Sequence, residues 1–236
     1  MAKIDREKFK TYGNVFDRHT LRNIFMLSSK GHFVELKSPI STGKEANIFT
    51  AAREDGSLIV VKIYRLETCD FNKMYDYIKM DPRYSYLKSK SRKVIFAWAQ
   101  REFRNLMKAR EIGVRVPTPI LCKDNILLLE YIGKEEPALK IKDADFTKEK
   151  AEKYLRKIRQ YMKKMYQHNL IHGDLSSFNI LDDDKPVLID FSQATTRKNT
   201  NAEELLQRDV RNICNFFIKQ GLDCDKKEME AFIKKS

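Results

Sequence analysis

No apolar run in these 236 residues approaches the roughly 18–20 that a helix needs to cross a bilayer, which argues against a membrane partner. The first ten residues, MAKIDREKFK, lack the apolar stretch of a secretory signal peptide. Cysteine is sparse. Cys69, Cys122, Cys214 and Cys224 are scattered, form no C-x-x-C pair, and are not accompanied by His19, His32, His168 or His172 at ligand spacing. That pattern argues against a zinc site and is expected of reduced, mostly buried thiols. A cytoplasmic protein is the expectation, or a nuclear one if the source has a nucleus. Internal repeats and long low-complexity tracts are also missing. Acidic residues are in deficit, 33 against 46 basic, leaving a formal charge of +13. Such a balance favours polyanionic partners such as RNA, or acidic substrates, although a lysine-rich solvated surface produces the same number.

What is present is a folded chain. Hydrophobic residues make up 42% and charged residues 33%, a globular rather than a disordered composition. The length suits one domain with two lobes, or two small domains sharing an interface. Residues 1–34 carry a helical pattern, with Val15, Phe16, Leu21, Ile24, Phe25 and Leu27 on one face and Gly31 as its stop. Residues 46–51 and 58–64 are rich in β-branched and aromatic side chains around the turn signal Glu54-Asp55-Gly56-Ser57, so they predict a β-hairpin. Residues 66–93 are polar and Lys/Tyr-rich, and predict a long mobile loop or weak helix with little core. Helical spacing returns from Val94 to Glu111 and ends at Gly113; two short strands follow, at 120–122 and 126–130. Gly133 to Pro137 reads as a linker. Beyond it lie a helix over 148–168, whose apolar face is Tyr154, Leu155, Ile158, Tyr161, Met162 and Met165, and two short strands at 179–181 and 187–189. A last helix opens on a capping-box pattern, Thr200-Asn201-Ala202-Glu203, and runs to about Lys219 before Gly221.

Chemistry concentrates at Ile171-His172-Gly173-Asp174-Leu175-Ser176-Ser177-Phe178-Asn179, with Ile189-Asp190-Phe191-Ser192 downstream. The first segment fits H-x-D-L-x-x-x-N and the second a strand ending in D-F-x. Phosphoryl transfer requires a carboxylate that orients the acceptor and takes its proton, and oxygen ligands that hold Mg²⁺ on nucleotide phosphates. Asp174 suits the first role; Asn179 and Asp190 suit the second. Asp, Asn, Gly and Ser are also ordinary turn residues, and it is their joint spacing that points to a site.

Upstream, Lys62 in Val60-Val61-Lys62-Ile63 matches the V-A-I-K strand whose lysine grips α- and β-phosphates. Glu102, on the following helix, is the expected ion-pair partner; Glu111 is the alternative at that helix's frayed end. The phosphate-binding loop is expected over residues 38–47. It has one glycine, so it is neither G-x-G-x-x-G nor a Walker A loop. The amides around Ser41, Thr42 and Gly43, with the two hydroxyls and Lys44, can still surround phosphate oxygens.

Together these residues resemble the RIO family of atypical serine/threonine protein kinases. STGKEA at 41–46 and IDFSQ at 189–193 are similar to the first RIO subfamily rather than the second; EFRNL at 102–106, LLLEYIG at 127–133, HGDLSSFNIL at 172–181 and LLQRDVRNI at 205–213 also resemble family segments. The resemblance implies an α+β, two-lobed protein-kinase-like fold. It would comprise an N-terminal helical extension (1–34), a small antiparallel-sheet N-lobe (35–132) with a flexible loop at 66–93, and a mostly helical C-lobe (133–236). It implies ATP with Mg²⁺, or Mn²⁺, as cofactors. Lys62 would contact the phosphates, Glu130 and Ile132 would present a backbone carbonyl and amide to adenine, and Asp174 would be catalytic. Asn179 and Asp190 would bind metal, and Asp190 is a candidate aspartyl-phosphate. The family is similar in role across members, which implies maturation of the small ribosomal subunit on a pre-ribosomal particle or its rRNA. Ser85, Ser89 and Ser91 would fall in an autophosphorylated loop.

Two other readings remain. An aminoglycoside- or choline-type small-molecule kinase also carries an HGDL…N loop with a downstream IDF. An ATP-gated RNA-binding module would explain the basic charge and the lack of an A-P-E activation-segment motif in the 44 residues after Ser192.

Overall fold

The period-2 alternation of residues 46–64 folds as an antiparallel hairpin, and the rest of a sheet is built around it. The computed structural model describes residues 16–66, 71–79, 87 and 92–235. Residues 1–15 of the expected extension, and Ser85, Ser89 and Ser91, lie outside the described residues. The elements are α1 (Arg18–Ser29), β1 (Glu35–Thr42), β2 (Ala46–Ala52), β3 (Leu58–Tyr64), α2 (Phe71–Ile78), α3 (Arg92–Glu111), β4 (Pro119–Lys123), β5 (Ile126–Glu130), α4 (Lys148–Gln167), β6 (Ile180–Asp183), β7 (Lys185–Leu188), a 3₁₀ turn (Phe191–Gln193), α5 (Ala202–Lys219) and α6 (Lys226–Lys234). They divide into two compact units: residues 1–103 with 119–131, and residues 104–118 with 132–236.

The first unit holds a five-stranded sheet in the order β1-β2-β3-β5-β4, with every neighbouring pair antiparallel. One face packs Phe49, Ala51, Ile59, Val61, Ile63, Ile126 and Leu128 against Ile24 and Leu27 of α1. The helix therefore belongs to the sheet's own core. Asp17 caps it, its carboxylate accepting from His19 N and Thr20 N. Phe25, expected on the buried face, is 49% exposed.

Successive residues of a strand face opposite ways, so Lys62 and Tyr64 leave the α1 face. Tyr64 packs with Leu66, Met74, Ile78, Leu87, Val94, Ile95 and Trp98. The weak-helix alternative for residues 66–93 forms as α2, but the expectation of little core is corrected: Met74 and Ile78, one turn apart on α2, are buried, as is Leu87.

A second correction concerns residues 38–47. They are not a loop but the paired ends of β1 and β2, with Ser41 opposite Ile48 and Thr42 opposite Asn47, leaving only Gly43–Glu45 as the turn. β1 is an edge strand with one buried residue, Leu36, and its register shifts on either side of Pro39. An exposed edge has no need of alternation, and proline is tolerated there.

In the second unit α4 buries the six residues expected of it and adds Ala151. The β6–β7 hairpin turns at Asp184, in the left-handed region with φ +54°. α5 buries Leu205, Leu206, Asp209, Val210, Ile213, Cys214 and Phe217. Its expected capping box does not form. Asn201 occupies the cap position without a side-chain bond, and the Glu203 carboxylate accepts from Lys234 instead.

Candidate active site

Within the first unit, the antiparallel register lays Ser41, Ile48, Lys62 and Leu127 in one row across four strands. Directly opposed residues point to the same face, so Ser41 shares the face of Lys62, at roughly 10 Å for two strand spacings, while Thr42 points to the other. Lys44 sits in the intervening turn. Lys62 donates from Nζ to Glu102 Oε1 at 2.8 Å, with the two side chains 8% and 1% exposed. Glu102, not Glu111, is therefore the partner. The Tyr64 hydroxyl donates to Glu102 Oε2, and Lys62 Nζ lies 5.2 Å from the centre of the Tyr64 ring. Both carboxylate oxygens are thus engaged, and the lysine is held in one place by charge, hydrogen bond and ring. Glu130 closes β5 opposite Ile59.

Within the second unit, His172-Gly173-Asp174-Leu175 is fixed largely through its backbone. Asp209 on α5, 1% exposed, accepts from Gly173 N (2.8 Å) and Leu175 N (2.7 Å). Burial pushes its carboxyl up to about 7, against these two amides, which favour the ionised form. Arg208 donates to Gly173 O and Gln193 Oε1 and stands 3.9 Å from Asp174 Oδ1. Asn212 donates to Leu175 O at 3.1 Å. Three residues within five positions of α5 thereby hold three consecutive loop residues. Gly173, at φ +77°, supplies a backbone that other residues rarely adopt.

His172 is 1% exposed and packs against the Phe191 ring at 4.5 Å. Its Nε2 lies 3.1 Å from Ile189 O, and a carbonyl only accepts, so Nε2 carries the proton. Burial pulls the imidazole down to about 4, so it is neutral near pH 7.

The three residues singled out in this unit come together. Asn179 Nδ2 donates to Asp174 O (2.8 Å) and to Asp174 Oδ2 (3.1 Å). Ile189 N donates to Asn179 O at 3.0 Å, which puts Asp190 beside Asn179. Asp190 itself is left-handed, φ 61° and ψ 67°, and accepts from Ser192 Oγ at 2.8 Å. A non-glycine residue in that conformation is strained unless its surroundings fix it, and such positions cluster at functional sites. Asn105, on the part of α3 in this unit, donates to Phe191 O and Ala194 O and so holds the turn after Asp190. With Asn179 Nδ2 committed to Asp174, Asn179 Oδ1 and the neighbouring Asp190 carboxylate are the oxygen donors that a metal would take. That set fits Mg²⁺, which takes one or two protein ligands and completes its shell with phosphates and water. Asp209, Arg208, Asn212 and Asn105 lie in segments noted for resemblance but without roles. Asp209 and Asn105 are buried, Arg208 and Asn212 half-buried, and all four side chains aim at backbone, a signal that the fold reveals and spacing does not. Ile132 lies just past β5 and its carbonyl accepts from Ala138 N at 2.9 Å.

The sequence profile of the RIO domain matches residues 47–230. The RIO-type serine/threonine-protein kinase Rio1 of Haloferax volcanii is 40% identical over 97% of this chain and 79% of its own length. The Rio1 kinase of Methanocaldococcus jannaschii is 43% identical over 96% and 78%. Among solved structures, the Rio2 kinase–ADP/Mg²⁺–phosphoaspartate complex from Chaetomium thermophilum superposes with a TM-score of 0.71 at 24% identity, covering 92% of this chain and 67% of that one. The fold is thus that of a protein kinase, with an antiparallel sheet in one unit and a mostly helical second unit. More narrowly, the chain belongs to the RIO family, and its class is the RIO-type serine/threonine protein kinases. Among the described residues no helix is long and apolar enough to cross a membrane.

Proposed function

We propose that this chain transfers the γ-phosphoryl group of ATP, with Mg²⁺, to a serine or threonine hydroxyl, with Asp174 as the group that orients the acceptor and takes its proton. The observation that carries the reading is the tie from Asp174 through Asn179 to the Ile189–Asp190 strand end, which joins a base to an oxygen-donor pair. Asn179 and Asp190 would hold the metal, whose chemistry is to neutralise charge on the phosphates. Residues 35–132 would form the nucleotide-gripping lobe. There Lys62, held by Glu102, would engage the α- and β-phosphates. Ser41, Thr42 and Lys44 would add donors around the hairpin turn, and the Glu130 carbonyl and Ile132 amide would meet adenine. Residues 133–236 would form the catalytic lobe.

A second outcome of the same site is ATP hydrolysis through an aspartyl-phosphate on Asp190. Two observations favour it: the strained backbone of Asp190, and the phosphoaspartate in the Rio2 complex named above. In that step an Asp190 oxygen attacks the γ-phosphorus, the bond to ADP breaks, and water later releases phosphate. The partner we infer is a pre-small-ribosomal-subunit particle or its rRNA. The charge of +13 supports a polyanionic surface of that kind, and nucleotide turnover would then time release. RIO membership leaves no role for the small-molecule-kinase alternative.

The test is incubation with γ-labelled ATP and Mg²⁺, alongside Asp174→Ala and Asp190→Ala. Acid-stable label on serine that disappears in both variants supports the kinase reaction. Hydroxylamine-labile label with free phosphate supports the aspartyl-phosphate route. Full activity in Asp174→Ala would sink the assignment.

A further inference from the structure

We infer that Cys214 and Cys224 form an oxidisable dithiol that closes to a disulfide inside the α5–α6 corner of the second unit. The two thiols are free, yet their Sγ atoms lie 2.9 Å apart, inside ordinary non-bonded contact and within about 1 Å of the bonded distance of roughly 2 Å. Met229 on α6 closes the pocket, its Sδ 3.3 Å from Cys214 Sγ and 4.0 Å from Cys224 Sγ. Cys214 sits on α5 and is 0% exposed; Cys224 sits in the connector to α6 and is 9% exposed. The pair is therefore asymmetric. The connector thiol is the one a small reagent reaches, and the helix thiol waits behind it.

Their ionisation follows the same asymmetry. The contact with Cys214, and after it the Arg159 guanidinium, lower the Cys224 thiol against the opposing effect of burial, while contact with Cys224 and burial push the Cys214 thiol up. Thiolate character selects the nucleophile in thiol oxidation.

The oxidant that fits so closed a site is a small peroxide. Cys224 thiolate attacks one oxygen of hydrogen peroxide, the O–O bond breaks, and Cys224 becomes a sulfenic acid as hydroxide leaves. Cys214 sulfur then attacks Cys224 Sγ; the S–O bond breaks, water departs with the Cys214 proton, and the S–S bond forms. The sum is two thiols and one peroxide giving one disulfide and two waters. The crosslink would tie the C-terminal half of α5 to its connector, on the helix whose earlier residues Arg208, Asp209 and Asn212 hold the loop of Asp174.

The experiment treats the full chain with hydrogen peroxide, alkylates under denaturing conditions and maps the peptides by mass. We expect Cys214 and Cys224 to lose alkylation together, to yield a crosslinked peptide lighter by two hydrogens, and to recover with dithiothreitol, while Cys122 shows no such coupled loss. In Cys214→Ala, Cys224 should be trapped as sulfenic acid by dimedone. Full alkylation of both thiols at peroxide levels that oxidise Cys122 would overturn the inference. So would Cys224 advancing to sulfinic acid in the wild-type chain while Cys214 stays free. The wild-type map decides the matter even if a variant fails to fold.

Discussion

Lys62 and Glu102 form a buried ion pair, and such pairs cost more to break than they contribute when intact. Desolvating both charges offsets most of their attraction, whereas removing one leaves the other buried and uncompensated. Glu102→Gln, which keeps an oxygen for the Tyr64 hydroxyl, should therefore lower stability by about 3 kcal/mol. Adding Lys62→Met to it should recover most of that loss in urea denaturation without restoring phosphoryl transfer. A double variant no more stable than Glu102→Gln alone would show that the pair is not the source of the cost. His172 gives the opposite dependence on surroundings. Its imidazole is held near 4 in the folded chain, against an ordinary 6.5. Between those values the unfolded chain binds a proton that the folded chain refuses, so stability rises with pH across that window and is lost as pH falls through it. The span corresponds to roughly 3 kcal/mol. Stability measured from pH 7 to pH 4 should fall by about that much more in the native chain than in His172→Gln; parallel curves would refute the assignment.

At the scale of elements, α5 acts as a clamp. Asp209→Ala would strand the buried amides of Gly173 and Leu175, costing about 3 kcal/mol. It should also lower kcat at least roughly tenfold, with KM for ATP within about twofold, because the loop of Asp174 loses its register rather than its nucleotide contacts. Asp209→Asn, with one acceptor left, should fall between. An unchanged kcat in a folded Asp209→Ala protein would mean that Arg208 and Asn212 suffice. How much of this was legible from sequence depends on how each element buries itself. The face of α4 was readable residue by residue because it is strongly two-sided. The loop at 172–179 was readable because phosphoryl transfer demands those residue types at those offsets. β1 was not, because an edge strand with one buried side chain has no alternation to read. α2 was legible only as a weak helix set against a mobile loop, because the buried residues described on it, Met74 and Ile78, stand within a polar stretch. The Glu203 capping box lost to a partner, Lys234, 31 residues away, which local spacing cannot announce. The role of Asp209 was hidden for the same reason, since its two amides lie 34 and 36 residues away in the chain.

At the scale of the whole molecule, the excess of 13 positive charges sets how the chain meets other macromolecules. Nucleic acid releases condensed counterions when lysine and arginine replace them, so affinity falls with salt at a slope set by the number of phosphates engaged. For roughly five contacts on single-stranded RNA, raising salt from about 50 to about 200 mM should weaken binding by about 100-fold. A lysine-rich surface that merely keeps the chain soluble would give weak binding and a slope near zero. The same titration, repeated with ATP and Mg²⁺ and with Asp190→Asn, separates a passive basic surface from a gated one. A ligand shifts RNA affinity only if it binds the two states of the protein differently, and the coupling is reciprocal. If nucleotide turnover times release, ATP should change RNA affinity by fivefold or more, RNA should change ATP affinity by the same factor, and Asp190→Asn should remove both effects. Equal RNA affinity with and without nucleotide would leave the kinase chemistry standing but detach it from release.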